Sequence, residues 1–458
     1  MERFLAKASI CFMLYLTIMK NLRSAYFAVL FCLLTANPLF AQTTLVHAGT
    51  VLAVPGEKPL TNQTIVIEKG KISEIRSGFV SAAQLNLASD QVTVIDLKEQ
   101  FVMPGFIDMH THITSERDPN ANPHEWTTLF DEDAAFRAIP YAEATLNAGF
   151  TTVRNVGGNY KLMLALKRAI AAGYVEGPRI ITATGAVSAT GGHGDDHGYR
   201  PEIMNAFETN VAICDGSDDC RRAVRALVKQ GAEVIKITAT GGVLSNTAAG
   251  VGQQLTDDEL KAIVETAHSL GRKVAAHAHE ADGINAALRA GVNSIEHGSY
   301  LNDESVRLFK ETGAYLVPTL LAGVSVTEEL ETNDNIPPAI AGKIRQVGPV
   351  VEASFKRALK GGVNIAFGTD SGVSKHGTNA REFELMVNYG MDENEAIRSA
   401  TLHAAELLGM KDSLGSLEKG KWADLVAVDG NPLQDISELR NIQFVMKEGT
   451  IYKQRDTN

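Results

Sequence analysis

The stretch Val102-Met103-Pro104-Gly105-Phe106-Ile107-Asp108-Met109-His110-Thr111-His112 carries the first decision about the fold. Behind the Pro104-Gly105 break, Phe106 to Met109 alternates apolar with small or polar residues at the period of a strand. His110 and His112 then follow two apart. In an extended chain, side chains at i and i+2 project to the same side, so both imidazoles can reach one metal ion. Imidazole is the commonest protein ligand for zinc-like ions. A lone His-x-His at a strand end fits solvated polar surface equally well, so the metal reading depends on the later strand ends.

Residues 104–411 alternate apolar strand-like runs with helix-period segments. The runs are Phe106–His110, Thr151–Asn155, Arg179–Ala183, Val234–Ile237, Lys273–Ala278, Ser294–His297, Tyr315–Pro318 and Asn364–Gly368. Helices are expected between most of them, among them Asp218–Gln230, Asp257–Leu270 with Thr256 as N-cap, and Gly283–Arg289. Several stop at a glycine, as at Gln230-Gly231 and Ala290-Gly291. Eight strands, each followed by a helix, predict a (β/α)8 barrel with its active site at the C-terminal strand ends. An open doubly wound sheet is disfavoured because no Gly-x-Gly-x-x-Gly follows the first strand.

The flanks read differently. Residues 42–103 hold short β patterns (Thr44–Ala48, Thr64–Glu68, Lys71–Ile75, Val92–Leu97), and residues 412–458 hold Ala423–Asp429, Phe444–Lys447 and Thr450–Lys453. Together they predict one small β-sandwich built from both chain ends. Residues 1–41 read as a signal peptide: a basic patch Met19–Arg23, an apolar run Ala25–Thr35, and a cut after Ala41. A second apolar stretch, Ala8–Ile18, precedes it, so translation starting at Met19 is the simplest account. Neither run reaches the ~18–20 uninterrupted residues of a membrane span. The expectation is export to the periplasm or the medium.

The chain carries 43 Lys+Arg against 54 Asp+Glu, a formal net charge of −11. Loss of residues 1–41 would take it to about −14, which disfavours nucleic acid or an anionic membrane as partner. Cys214 and Cys220 remain beyond the leader. In an oxidising compartment they could close a small disulfide loop, or they stay free thiols; no zinc-type cysteine spacing is present.

Chemistry-bearing residues stand at five of the eight run ends: His110 and His112, then Lys236, then His277 and His279, then His297, then Asp370. Singly, each has a plain reading: Lys236 as a paired strand lysine, His297 as a core histidine, Asp370 as a helix cap. Yet an ammonium inside a barrel is costly unless paired or chemically altered. Jointly, the convergence on one rim points to metal. In the loop Thr184–Asp195, the glycines let backbone approach a ligand, and His193 could polarise a carbonyl or stabilise an oxyanion; the plain alternative is a mobile surface loop. The loop Thr238–Ser245 has the same character. Arg154 is either a substrate-carboxylate partner or a structural ion pair. His47, His124, His197, His268, His376 and His403 have no spacing argument and read mostly as surface or helix residues.

The chain resembles the amidohydrolase superfamily, in the branch of imidazolonepropionase-like proteins and metal-dependent Xaa-Pro dipeptidases of the prolidase type. The motifs are Pro104–His112, Val234–Ile237 with Ala239–Val243, Ala276–His279, Ile295–Gly298, Gly368–Asp370 and Gly415–Val426. The resemblance implies two divalent ions, most often zinc. His110, His112 and Asp370 would hold one, His277 and His297 the other, with Lys236 bridging as a carbamate. A hydroxide shared by the ions would attack, and Asp370 would pass its proton to the leaving nitrogen. His277 matches the family's ligand position, leaving His279 to contact substrate or orient the leaving group. The implied activity is cleavage of an amide bond in a dipeptide (Xaa-Pro or related) or an N-acyl amino acid by a self-associating enzyme. Cyclic amide hydrolysis of the imidazolonepropionate kind comes second. A non-catalytic barrel scaffold would be expected to lose ligands, and none of the six positions is lost. A zinc-binding or transport module would not need Lys236 within a barrel strand.

Overall fold

The computed structural model describes residues 43–455 apart from 119–121, 123–124, 126–127, 205–210 and 248. The expected leader and His124 lie outside the described residues. No helix among the described residues is long and apolar enough to cross a membrane.

The chain opens with β1 (Thr43–Val51), β2 (Leu60–Glu68), β3 (Lys71–Ser77) and the long β4 (Val92–Pro104). A parallel sheet of β5 (Phe106–Thr111), β6 (Phe150–Asn155) and β7 (Arg179–Thr182) follows. A second comprises β8 (Ala186–Val187), β9 (Val234–Thr238), β10 (Lys273–Ala278), β11 (Ser294–His297), β12 (Tyr315–Val317) and β13 (Asn364–Ile365). Backbone hydrogen bonds join the two sheets at both seams. The Glu233 amide donates to Thr182 O (2.8 Å) beside β7 and β9, and the Met109 amide to Phe367 O (2.9 Å) beyond β13. Leaving aside the two-residue β8, which no expected run foresaw, eight parallel strands close a (β/α)8 barrel. The last run is regular only over Asn364–Ile365; beyond it the Ala366 amide still donates to Leu316 O of β12 (3.0 Å), and Phe367 O then accepts from the Met109 amide of β5.

The helices between the strands follow their sequence signals. Helix Asp257–Ser269 is boxed at its start: Glu259 Oε2 accepts from the Thr256 amide at 2.8 Å, and Thr256 Oγ1 from the Glu259 amide at 3.4 Å. Helices Ser217–Gln230 and Ala281–Ala290 end on Gly231 (φ 107°) and Gly291 (φ 94°), in the left-handed region that glycine enters without a Cβ clash.

The C-terminal strands β14 (Leu425–Val428), β15 (Phe444–Lys447) and β16 (Thr450–Gln454) return to β4, giving one seven-stranded sheet in the order β16-β15-β14-β4-β1-β2-β3. The far edge folds back on the sheet. The Ile72 amide donates to Lys421 O and the Ala423 amide to Gly70 O, both at 2.9 Å, and Val46, Ile65, Ile95, Leu425 and Phe444 share one core. A single folded sheet from both chain ends thus supplies both layers.

His47 and His376 are buried, not surface residues, because each imidazole Nε2 bonds a backbone carbonyl, Val80 O and Ser115 O respectively, at 2.9 Å. Cys214 and Cys220 are joined as a disulfide, Cα atoms 4.9 Å apart, within the core under helix Ser217–Gln230. Closing so short a loop removes limited chain entropy from the unfolded state, so replacing both by serine is expected to cost about 2 kcal/mol. Urea unfolding of the double variant would measure it; an unchanged midpoint would show that the bond adds no stability.

Candidate metal centre

Side-chain alternation decides which residues reach the barrel interior. On β9, Ile235 and Ile237 pack with Val224, Leu227, Leu260 and Ile263 of the surrounding helices, so Lys236 between them faces inward. On β10, Val274, Ala276 and Ala278 face the helices, which turns His277 inward; on β11, Ile295 does the same for Ser294 and Glu296. On β5, Ile107 and Met109 pack against Ala404, Ala405 and Leu407, leaving Asp108 and His110 inside. Four described residues at or just beyond the ends of barrel strands hold left-handed backbone without being glycine: Thr184 (φ 63°), His297 (φ 71°), Thr319 (φ 49°) and Asp370 (φ 58°). Each such conformation costs about 1 kcal/mol or more and is kept where surrounding structure demands it.

The structure brings the sequence-selected residues together. His110 Nε2 and His112 Nε2 lie 3.4 and 3.3 Å from Asp370 Oδ1. Across the rim, the His277 and His297 rings are 4.6 Å apart between centroids, and His279 stacks on His297 at 5.0 Å. His193 closes the cluster, 4.3 Å from the His277 ring. The Lys236 side chain is buried, and its ammonium makes no hydrogen bond or ion pair among the described residues. A cavity of about 1080 Å³ opens over this rim.

The protonation states suit ligation. Burial, then the Lys236 charge, lowers His110 to about 4; burial lowers His193 to about 4 and His279 to about 3. Burial and neighbouring imidazoles push His277 and His297 well below the ordinary histidine value. All five are therefore neutral near pH 7, the state in which an imidazole nitrogen offers a lone pair. Burial brings Lys236 down to about 8. Burial alone would raise Asp370, but the adjacent His110 and His112 hold its carboxyl below the usual range.

Asp370 Oδ1 supplies the test of whether a metal fits. This oxygen is buried and accepts no hydrogen bond, yet two imidazole nitrogens converge on it, with candidate ligand atoms of all three residues within 4.8 Å of one another. A shared divalent ion would satisfy the three at once, so the donor set fits one.

Arg154 is the structural ion pair of its two readings, not a substrate contact. Its guanidinium donates to Glu296 Oε1 (2.8 Å), Ser294 Oγ (3.1 Å) and Met109 O (2.6 Å), entirely inside the barrel. The other oxygen of Glu296 accepts from His110 Nδ1 at 2.8 Å, which leaves His110 Nε2 directed at Asp370. Burial by itself would raise Glu296, but Arg154 and His110 hold it at about 2. In the sequence Glu296 carries no assigned task within the Ile295–Gly298 motif; its position two residues from Ser294, on one strand face, is the signal that it points inward. Thr319 and Ser299 likewise carry no assigned task. Their hydroxyls bond His297 Nδ1 (2.6 Å) and His279 Nδ1 (2.7 Å), and only the fold brings them there.

Arg154→Met strands the Glu296 carboxylate inside the barrel and is expected to cost about 3–5 kcal/mol in denaturant unfolding. Adding Glu296→Leu should return much of that stability. A single variant within 1 kcal/mol of the parent would contradict a buried, obligatory pair.

Residues 101–452 match the model of the amidohydrolase family. Ochratoxinase of Aspergillus niger is 32% identical over 433 residues, covering 90% of this chain and 87% of that protein. Among solved structures, a Xaa-Pro dipeptidase with methionine bound in its active site is 40% identical, with a TM-score of 0.84 over 90% of this chain and 100% of that one. A prolidase complexed with N-methylphosphonate-L-proline is 33% identical, with a TM-score of 0.79 over the same shares. The chain therefore belongs to the amidohydrolase family and is a hydrolase acting on carbon–nitrogen bonds.

Proposed function

We propose that this protein is an exported, divalent-metal-dependent amidohydrolase that cleaves Xaa-Pro or related dipeptides, or N-acyl amino acids, with an apolar side chain beside the scissile amide. The observation that carries the reading is the unsatisfied Asp370 Oδ1 facing two imidazole nitrogens, beside the buried Lys236, which makes no hydrogen bond or ion pair among the described residues. His110, His112 and Asp370 would hold one ion and His277 and His297 another. Bound ions, zinc first among them, would supply an activated water and a polarised carbonyl. Lys236 is read as the carbamate-forming ligand. Its amine, lowered to about 8 by burial, is partly neutral near neutral pH, and only the neutral amine adds CO2. The product is an anion with two oxygen donors where an unpaired cation would otherwise sit.

The protein's own groups then divide the work. The Asp370 carboxylate accepts the proton of the attacking water and delivers it to the leaving nitrogen. His193, with Nδ1 held by Ser245 Oγ, keeps Nε2 for the scissile carbonyl oxygen as charge develops there. His279, with Nδ1 held by Ser299, keeps Nε2 for the substrate on the leaving side. Val243, Leu244, Val326, Ile344, Val347 and Val351 line one side of the cavity, which favours an apolar side chain over a charged one. Export is supported by the basic-then-apolar leader and by the Cys214–Cys220 bond, a feature of oxidising compartments.

The test is to purify residues 42–458 with zinc and bicarbonate, count bound metal, and screen a dipeptide library for released amino acids. About two ions per chain, with release from Xaa-Pro and from Leu-, Met- or Phe-containing dipeptides, is the expected result. No bound metal would overturn the reading; cleavage confined to charged dipeptides would overturn its substrate side.

A further inference from the structure

Helix Pro338–Val347 lies outside the barrel strands, in the segment joining β12 to β13. Its inner stripe is apolar, with Ile340, Ala341, Ile344 and Val347 buried, but Lys343 sits in the same stripe and is also buried, 6% exposed. A cation there needs partners. The Lys343 ammonium donates to two backbone carbonyls, Gly242 O and Ser245 O, each at 2.7 Å. Both belong to the loop that leaves β9 just beyond Lys236. Between the two carbonyls, Val243 and Leu244 pack against Val326, Ile340 and Ile344, so the helix grips the loop by its apolar side chains and its backbone together.

That loop touches the metal-centre histidines. Ser245 Oγ bonds His193 Nδ1, and Gly241 O lies 3.3 Å from His277 Nε2. A methyl group at Gly242 would overlap the His193 ring, so the loop backbone is the floor on which that ring rests. The His193 amide also donates to Gln254 Oε1 (2.8 Å), farther along the segment that follows β9. With His193 arriving on a glycine-rich loop and no strand beneath it, the ring's position depends on the 241–245 backbone.

We propose that Lys343 is a positioning residue: by holding Gly242 O and Ser245 O it presets the His193 imidazole over the cavity, through Ser245. The proposal rests on the carbonyl-polarising role given to His193 above. Lys343 touches neither the cavity's reacting atoms nor a metal ligand. A merely structural lysine would stabilise the helix; this one sets a ring's direction, and the two roles separate experimentally.

Two measurements test it. In hydrogen–deuterium exchange of the zinc-loaded protein, Lys343→Met should speed exchange in 241–245 and 189–195 while the barrel strands stay protected. This readout needs no activity, so it judges the inference even if the hydrolase reading fails. In kinetics on a cleaved dipeptide, Lys343→Met and Ser245→Ala should each lower kcat/KM by about ten- to a hundredfold, the scale of a reacting group misplaced by about 1 Å. The loss should fall in kcat, with bound metal unchanged. In a His193→Asn background neither should reduce the rate further, since the group they position is already gone. Ser245→Ala removes a single hydroxyl and keeps the test alive if Lys343→Met folds poorly. Equal fold-losses in both backgrounds, or unchanged exchange in 189–195, would overturn the proposal.

Discussion

The barrel interior depends on one buried carboxylate. Glu296 lies between the Arg154 guanidinium and the His110 imidazole, each bonded to a separate oxygen at 2.8 Å. A charge with no access to water is tolerable only when both oxygens are engaged by such donors. Because Arg154 also holds Met109 O, the same side chain fixes the backbone one residue before His110. Asp108 does comparable work on the other flank, accepting from the His110 amide (3.0 Å), from Thr369 Oγ1 (2.6 Å) and from Asn379 Nδ2 (2.8 Å). It thereby ties β5 to the turn that carries Asp370. Two buried carboxylates thus set the direction of His110 and the position of Asp370 before any ligand arrives.

Around that frame the rim combines features that a fold would not keep for stability. Five imidazoles stand close together and uncharged, and among the described residues Lys236 is buried with no hydrogen bond or ion pair and Asp370 Oδ1 is left unsatisfied. His297 and Asp370 also hold backbone conformations uncommon for their residue types. Each of these costs free energy in the protein alone, and the imidazoles and the Asp370 oxygen together form a donor set that a divalent ion would satisfy. The apolar wall from the segment between β12 and β13 then supplies shape above the centre without competing for its polar groups.

Much of this was legible in the chain. Strand period two told which face of each run was apolar, so the inward residues His110, Lys236 and His277 could be named without coordinates. Helix caps such as Thr256 and stops such as Gly231 and Gly291 marked the alternation that makes a barrel. What stayed hidden were partnerships between residues far apart in sequence. Arg154 reads alike as a substrate clamp or an ion pair until Glu296, 142 positions away, is brought beside it. His376 looks like a surface residue until Ser115 O meets its ring. Lys343 left a trace that went unused: a charged residue spaced three from Ile340 and four from Val347 interrupts an apolar helical stripe. Its carbonyl partners, about a hundred residues earlier, are set by tertiary packing alone.

The central claim is that Lys236 enters the site as a carbamate and not as a buried ammonium. The direct measurement is carbon NMR of zinc-loaded protein equilibrated with 13C-bicarbonate. A protein-bound carbamate resonance should appear, since burial favours the neutral amine that adds CO2, and should vanish in Lys236→Ala. A fully metallated protein with no such resonance at any pH would contradict the account.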